Sequence, residues 1–283
     1  MLVLSGAALF GTIGTAQALG PQVAIPQLAA ARFSLAAVLL VLVARSAGPW
    51  SCLRTSARHL PTWCAGVSQV TFNLCFLGAM REAGVAVGTL VAIGATPILT
   101  GLVTRRVTRL WVVATGVAIL GLVLLVGGQL ASSSPPSVAG ILLAAGAAAS
   151  YATYIVSGNV AASRDLETQS YLAVVFSLSA LLTLPLLFTG DVAWVLSTSG
   201  AALVGYLAVF ATVLAYSLFN RGLRGVRAST ASTLGLVEPV VAAVLAYALL
   251  GETLGPAGLF GAGLILLGLL LIVRSTDTSH ATS

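Results

Sequence analysis

The sequence predicts an all-α integral membrane protein: ten transmembrane helices, arranged as two inverted five-helix repeats, with the N- and C-termini both in the cytoplasm. Three observations predict it. Of 283 residues, 58% are hydrophobic and only 7% charged, against about 25% charged in an ordinary soluble domain, so there is too little polar surface to meet water on all sides. The apolar residues fall in ten long continuous runs. The arginines alternate between successive loops as a multi-pass topology requires.

A helix needs about 20 apolar residues to cross a hydrocarbon core of about 30 Å. The runs that qualify are roughly 2–19, 26–44, 62–80, 84–104, 110–128, 138–159, 169–189, 199–219, 229–250 and 256–273. A β-barrel would instead show short alternating segments. Pro61 and Pro256 stand at helix starts, where a missing N–H does no harm. SSSPPS at 132–137 is the longest polar stretch without charge and reads as a linker. It divides the chain into a first repeat (1–131), the linker (132–137), a second repeat (138–275) and a cytoplasmic tail (276–283). Ala16-Gln17-Ala18 resembles a signal-peptide cleavage site, but no basic residue precedes the apolar run, so that segment is kept as a membrane helix.

With the N-terminus inside, the inner loops and tail hold Arg45, Arg54, Arg58, Arg105, Arg106, Arg109, Arg164, Arg221, Arg224, Arg227 and Arg274. The outer loops hold only Arg81, and Arg32 is left within a span. The positive-inside rule selects this orientation, and one missed span would scramble the alternation. All 13 basic residues are arginine. They form no clustered patch or arm, which argues against nucleic acid as a partner. Cys52, Cys64 and Cys75 show no pairing or metal spacing, and His59 and His280 are far apart. No metal site, cofactor or catalytic residue is implied. GxxxxGK[ST] and HExxH are both absent, so neither an ATP site nor a zinc protease motif is present.

Sliding the chain by 142 residues places Pro97 on Pro239, Gly116 on Gly258, Gly121 on Gly263, Ala86 on Ala228, Thr15 on Ser157 and Gln17 on Asn159. Five helices per half is an odd number, so the second half must be inserted upside down. Inverted repeats of this kind mark many secondary transporters.

The stretches AALFGTIGTAQAL, AARFSL and LVEPVVAAVLAYALLGETLGPAGLFGAGLILLG resemble the EamA-type branch of the drug/metabolite transporter superfamily over essentially the whole chain. The segment around Leu250-Gly251-Glu252 is the most specific part. The first half departs from the pattern there, with Thr108-Arg109-Leu110 at the shifted place. The resemblance implies ten helices and export or exchange of small metabolites, amino acids among them, in a bacterial plasma membrane.

Polar residues inside a span are costly unless they face protein or a water-filled cavity, so they map the interior. Gln69, Phe72, Asn73 and Phe76 recur at i, i+3, i+4 and i+7, one face of the third span. The sixth span offers Tyr151 and Tyr154, the eighth Tyr216 and Asn220, and the first Gln17. These nine are the candidate cavity residues. Thr96, Thr100, Ser150 and Thr153 have an alternative in bonding to their own helix carbonyls. The fifth and tenth spans carry repeated glycine and almost nothing polar, and read as scaffold. Spans one, three, four, six, eight and nine are then expected to surround a central pathway.

Two charges lie within spans. Arg32, in an Arg-Phe pair of the kind the resemblance places in the second span, either has a structural role, snorkelling to the interface or bonding helix-end carbonyls, or contacts a substrate or carboxylate. Glu238 lies near the middle of the ninth span, where a charge costs ~2.5–3.5 kcal/mol on insertion scales. Three readings compete for it: a neutral side chain bonded to a neighbouring helix, a binder of a cationic group, and a carrier of a coupling proton. Pro239 and Pro97 are hinge candidates, since each removes a backbone hydrogen bond and paired helix breaks point to a binding site.

The expectation is a secondary transporter that exports or exchanges a small polar or amphipathic metabolite by alternating access. Its partners are a small-molecule solute, the lipid bilayer and, under one reading of Glu238, protons. The alternatives are a channel-like facilitator, a non-transporting membrane scaffold, or a lipid-handling intramembrane protein.

Overall fold

Helix starts and stops follow from local chemistry. The computed structural model describes residues 1–105, 107–130 and 136–280, with the side chains of 128–130 and 275–280 excepted. Arg106 and most of the 132–137 linker therefore lie outside the described residues. Among those described, ten helices are long and apolar enough to cross a membrane. They are Leu2–Leu19, Ile25–Ala47, Leu60–Ala83, Val85–Thr104, Arg109–Gly127, Val138–Ser163, Thr168–Leu187, Thr198–Gly222, Ala228–Leu250 and Pro256–Arg274, referred to below as the first to tenth spans.

Pro26 and Pro61 occupy the opening turns of the second and third spans, where orphan N–H groups make proline harmless. Ser137 accepts from the Gly140 N–H and so caps the sixth span. The Glu167 carboxylate accepts from the N–H groups of Gln169 and Ser170 at 2.8 and 2.6 Å and caps the seventh, a favourable charge at a helix N-terminus. The third and fourth spans are joined by Gly84 alone, at φ +83°. Only glycine adopts that conformation without strain. A short helix, Trp50–Ala57, which hydropathy alone does not reveal, carries Cys52 and Arg54 between the second and third spans. The tenth helix continues past Arg274 to His280, beyond the expected end near 273.

Two spans are not continuous. The first is interrupted at Gly11. The ninth is interrupted at Gly235-Leu236, between Ala228–Leu234 and Val237–Leu250. Pro239 is thus the third residue of a half-helix rather than a proline in mid-helix, and its missing N–H costs nothing there. Pro97 differs: it sits inside an unbroken helix. The eighth span contains a wide π turn, Val209–Leu214, in which the Thr212 hydroxyl bonds the Leu207 carbonyl at 2.8 Å.

The first span packs on the eighth and ninth, and the sixth on the third and fourth. The second span packs on the seventh and eighth, and the third on the seventh. The fourth packs on the ninth, and the fifth on the tenth. Helix ends sort cleanly. At the N-terminal end of the bundle a Cβ on Gly222 would meet Val3, and the Trp111 indole N–H donates to the Ser229 carbonyl at 2.9 Å. At the opposite end the Gln27 amide donates to the Leu187 carbonyl at 3.2 Å, and the Ser137 N–H to the Glu82 carbonyl at 3.4 Å.

Burial runs opposite to a soluble protein. Alanines such as Ala30, Ala36, Ala144, Ala147 and Ala208 are fully enclosed, while Leu42, Leu102, Leu142, Leu181 and Leu259 are all more than 60% exposed. In a bilayer that is the expected solution, because lipid tails solvate leucine and helices gain by close contact through small residues. The fifth and tenth spans are the clearest case. A Cβ on Gly121 would lie 2.5 Å from the Gly261 carbonyl oxygen, one on Gly261 2.5 Å from the Gly121 carbonyl oxygen, and one on Gly268 2.6 Å from that of Ala114. The expected pairing of Gly116 with Gly258 and Gly121 with Gly263 is not the one these contacts reciprocate. They match Ala114 to Gly261 and Gly121 to Gly268, each pair 147 residues apart.

Replacing Gly261 by Leu is therefore expected to force these two helices apart and to destabilise the protein by about 1–3 kcal/mol, the usual cost of overpacking. Gly263→Leu, where an added Cβ meets nothing within 4 Å, is expected to be tolerated. Thermal melts of the two purified variants in detergent decide this, and equal melting temperatures would refute it.

Candidate functional site

The centre of the bundle is a layer of aromatic rings joined by amides. The Gln69 amide, on the buried face of the third span, donates to the Tyr216 hydroxyl of the eighth at 2.5 Å. Around the Tyr216 ring stand Phe10 at 4.7 Å, Phe176 at 4.8 Å and Tyr154 at 5.5 Å between centroids. Phe33 completes the layer edge-on to Phe176 at 5.7 Å. These are the offset and edge-to-face geometries that ring quadrupoles favour. Tyr154, Phe33 and Phe176 are almost wholly buried.

One short motif appears twice at this layer. The Asn73 amide donates to the Gln69 carbonyl at 2.8 Å, and the Asn220 amide donates to the Tyr216 carbonyl at 2.9 Å. Gln69 and Tyr216, like Asn73 and Asn220, are 147 positions apart. Each asparagine also reaches a second partner. Asn73 Oδ1 accepts from Arg32 Nη2 at 3.4 Å, and Asn220 Nδ2 donates to the Tyr154 hydroxyl at 2.6 Å.

A recess opens beside each asparagine. Gln17, Arg32 and Asn73, with Leu28 and Leu207, line one, a narrow cleft with room for little more than a water molecule, toward the end where the first and second spans meet. Gly158, Leu166, Tyr171 and Asn220 line another, equally narrow, toward the N-terminal end. In the second recess Asn220 Oδ1 and the Tyr171 hydroxyl are buried without a hydrogen-bond partner. Below it the loops are stitched: Asn159 Nδ2 donates to the carbonyls of Leu223 and Val226 at 3.0 Å each, and Arg224 Nη2 to that of Leu166 at 2.6 Å.

The structure brings the sequence candidates together unevenly. Gln69, Asn73, Tyr154, Tyr216 and Asn220 form the connected centre. Phe72 and Phe76 stack at 5.4 Å, and Phe72 contacts Tyr151 at 5.2 Å, forming a flank rather than part of the central layer. The Tyr151 hydroxyl is buried with no hydrogen-bond partner. Gln17 lines its recess, whereas Asn159, matched to it by the 142 shift, ties down a loop. Thr96, Thr100, Ser150 and Thr153 bond carbonyls of their own helices four residues back, the alternative allowed for them.

Glu238 is in the first turn of the half-helix Val237–Leu250, where the helix dipole favours a carboxylate. Its carbonyl oxygen would lie 2.6 Å from a Cβ on Gly11, so the two interrupted spans meet at their breaks. Among the described residues its carboxylate forms no hydrogen bond or ion pair. Tyr151 and Tyr216 are its electrostatic neighbours.

Sequence reading missed Phe10, Phe33 and Phe176, because an apolar ring in an apolar run carries no signal of which way it faces. Their spans, the second and seventh included, enclose the centre along with those expected to do so. The π turn before Tyr216 has no sequence signature either, and such turns recur at functional sites.

Tyr216→Phe removes the acceptor of the Gln69 amide and leaves a buried donor unsatisfied. The expected outcome is a loss of about 1–3 kcal/mol in stability. The double variant Gln69→Leu/Tyr216→Phe is expected to recover part of it, as read by melting in detergent. A single variant as stable as the parent protein would show that this bond does not matter.

The profile of the EamA-like transporter family matches residues 138–274. The uncharacterised transporter YwfM of Bacillus subtilis strain 168 is 37% identical over 96% of this chain and 92% of its own. The threonine/homoserine exporter RhtA of Escherichia coli K12 is 32% identical over 97% of this chain and 91% of its own. A solved crystal structure, 20% identical, superposes with a TM-score of 0.83 over 98% of this chain and 96% of the other, which shows the shared fold. The chain thus belongs to the EamA-like transporters of the drug/metabolite transporter superfamily and is a multi-pass membrane transporter of the bacterial inner membrane.

Proposed function

We propose that the protein is a secondary transporter that exports or exchanges a small, amino-acid-like metabolite by alternating access, with both termini in the cytoplasm. The observation that carries this reading is the pair of recesses on opposite sides of one closed aromatic layer, each built around an asparagine at the same helical register. A solute in either recess reaches the other only when the Tyr216 layer parts. That is the geometry of an occluding gate rather than of an open pore.

The packing supports an inverted relation between the halves. Advancing every span by five turns first–eighth into sixth–third, first–ninth into sixth–fourth and second–eighth into seventh–third. Second–seventh, fourth–ninth and fifth–tenth map onto themselves. The orientation is supported by charge: Arg45, Arg54, Arg58, Arg105, Arg109, Arg164, Arg221, Arg224, Arg227 and Arg274 lie at or near the N-terminal end and Arg81 at the other, the bias that retains that end in the cytoplasm. The name of the RhtA relative supports amino acids as solutes and export as direction. The interrupted first and ninth spans, meeting at Gly11 and Glu238, supply backbone freedom where a rocking motion needs it. Pro97, inside a continuous helix, fits a static kink better than a hinge.

Purified protein in liposomes is expected to catalyse saturable counterflow of threonine or a similar amino acid. Flux linear in concentration would favour a channel and sink this reading. Glu238, unbonded in the centre, is assigned the coupling proton. Glu238→Gln, fixed in the neutral form, is expected to lose at least tenfold of proton-gradient-driven flux while retaining counterflow within about twofold, since exchange needs no net proton movement. Equal loss of both activities would remove the proton role.

A further inference from the structure

We propose that the recess containing Arg32 is a carboxylate-binding subsite, so that the transported solutes are those bearing a carboxylate; this deepens the transporter reading above and rests on it. Arg32 is only 7% exposed. Its one hydrogen bond is the long one to Asn73 Oδ1 at 3.4 Å. Its Nε–H is buried with no partner, and its guanidinium carbon lies 4.7 Å from the centre of the Phe33 ring. Among the described residues no aspartate or glutamate pairs with it.

A buried, uncompensated cation is among the most costly things a protein can hold, and a snorkelling arginine would place its head in water instead. Arg32 does neither of the usual things: it is not paired and it is not exposed. Its guanidinium lines a recess that also receives Gln17. Gln17, half-buried, has a side-chain amide with no bond to another protein group among the described residues. The unused Nε–H and an Nη–H of one guanidinium form a fork that matches the two oxygens of a carboxylate. The Gln17 amide is the further donor lining the same space, and Leu28 and Leu207 supply its apolar border.

The other recess argues that this charge is there for a ligand rather than for helix packing. It borders the matching asparagine, Asn220, yet none of the side chains that line it is charged. A recess beside the asparagine is therefore built without a charge on one side of the aromatic layer and with one on the other. A single arginine also limits the ligand: it neutralises one negative charge, which suits a carboxylate and leaves a phosphate dianion half compensated.

The test uses the purified full-length chain in detergent and reads its thermal transition against each proteinogenic amino acid and the amine obtained by removing its carboxyl group, with inorganic phosphate as a third probe. At least one amino acid is expected to raise the transition saturably while its decarboxylated partner and phosphate do not. Arg32→Gln is expected to weaken that binding by about 100-fold, Arg32→Lys, which keeps the charge but not the fork, by about tenfold, and Gln17→Ala by about tenfold. Gln17→Ala keeps the test valid if Arg32→Gln does not fold. If amine and amino acid stabilise equally, if phosphate binds as well as any amino acid, or if Arg32→Lys and Gln17→Ala leave the carboxylate preference intact, the subsite is refuted. Counterflow by the parent protein is a separate measurement, so the transporter reading survives that result or falls on its own.

Discussion

The hydrogen bond from Gln69 to Tyr216 is the constraint on which the rest of the centre depends. It joins the third and eighth spans, which otherwise touch little, and it holds the Tyr216 ring where Phe10, Phe176 and Tyr154 pack against it. In hydrocarbon an unmade polar pair is costly, so the bond closes the layer firmly. A bond between two side chains can also be exchanged for bonds to water or solute at little net cost. Both properties suit a gate. The asparagines one turn further along, Asn73 and Asn220, repeat a single local motif on the two helices, and each borders a recess on its own side of the layer.

Around this centre the protein is held by contact rather than by the hydrophobic effect. Lipid solvates Leu102 or Leu181 as well as a protein core would, so those side chains face outward. What brings helices together is the absence of side chains: Gly121 against Gly261, Gly6 against Ala215 and Phe219, Gly140 against Ala83. The consequence is a division of stiffness. The fifth and tenth spans are locked backbone to backbone and contribute nothing to the aromatic layer. The first and ninth are interrupted at Gly11 and Gly235-Leu236 and lie beside that layer. Close-packed and interrupted helices are thus separated in space.

Much of this was legible in the sequence, and the rest was hidden for definite reasons. Ten spans followed from hydropathy because each is a long uniform run. The Gln69/Phe72/Asn73/Phe76 stripe was visible because amides in hydrocarbon demand an explanation, and two of its members, Gln69 and Asn73, are in the central network. The offset between the repeats was only partly visible. The prolines match at 142, but the reciprocal contacts of the third and eighth and of the fifth and tenth spans match at 147, because the helices and loops between them differ in length from one half to the other. An ungapped slide cannot see that. Glu238-Pro239 looked like a carboxylate and a kink in mid-helix. The break three residues earlier, at Gly235-Leu236, makes them the opening turn of a half-helix, where a proline is ordinary and the helix dipole offsets part of the cost of a carboxylate. Pro239 is a local cause of that break, since it lacks the N–H that would bond the Gly235 carbonyl four residues back and its ring crowds that carbonyl.

The deepest departure from symmetry is chemical rather than geometric. The scaffold repeats helix for helix, down to the asparagine motif, yet the two in-membrane charges do not repeat. The recess beside Asn220 is lined by no charged residue where that beside Asn73 holds Arg32, and Glu238 has Thr96 at the 142 shift. Selection for folding alone would favour neutral residues at both, since each charge is costly where it stands. A repeat that needs only to rock about its centre needs shared small residues and shared breaks. A carrier that must recognise a solute at one end and commit to a direction needs something the two halves do not share. The cation in one half and the anion in the other, with Tyr216 as an electrostatic neighbour of both, are the difference between the halves on which the transport reading proposed above draws.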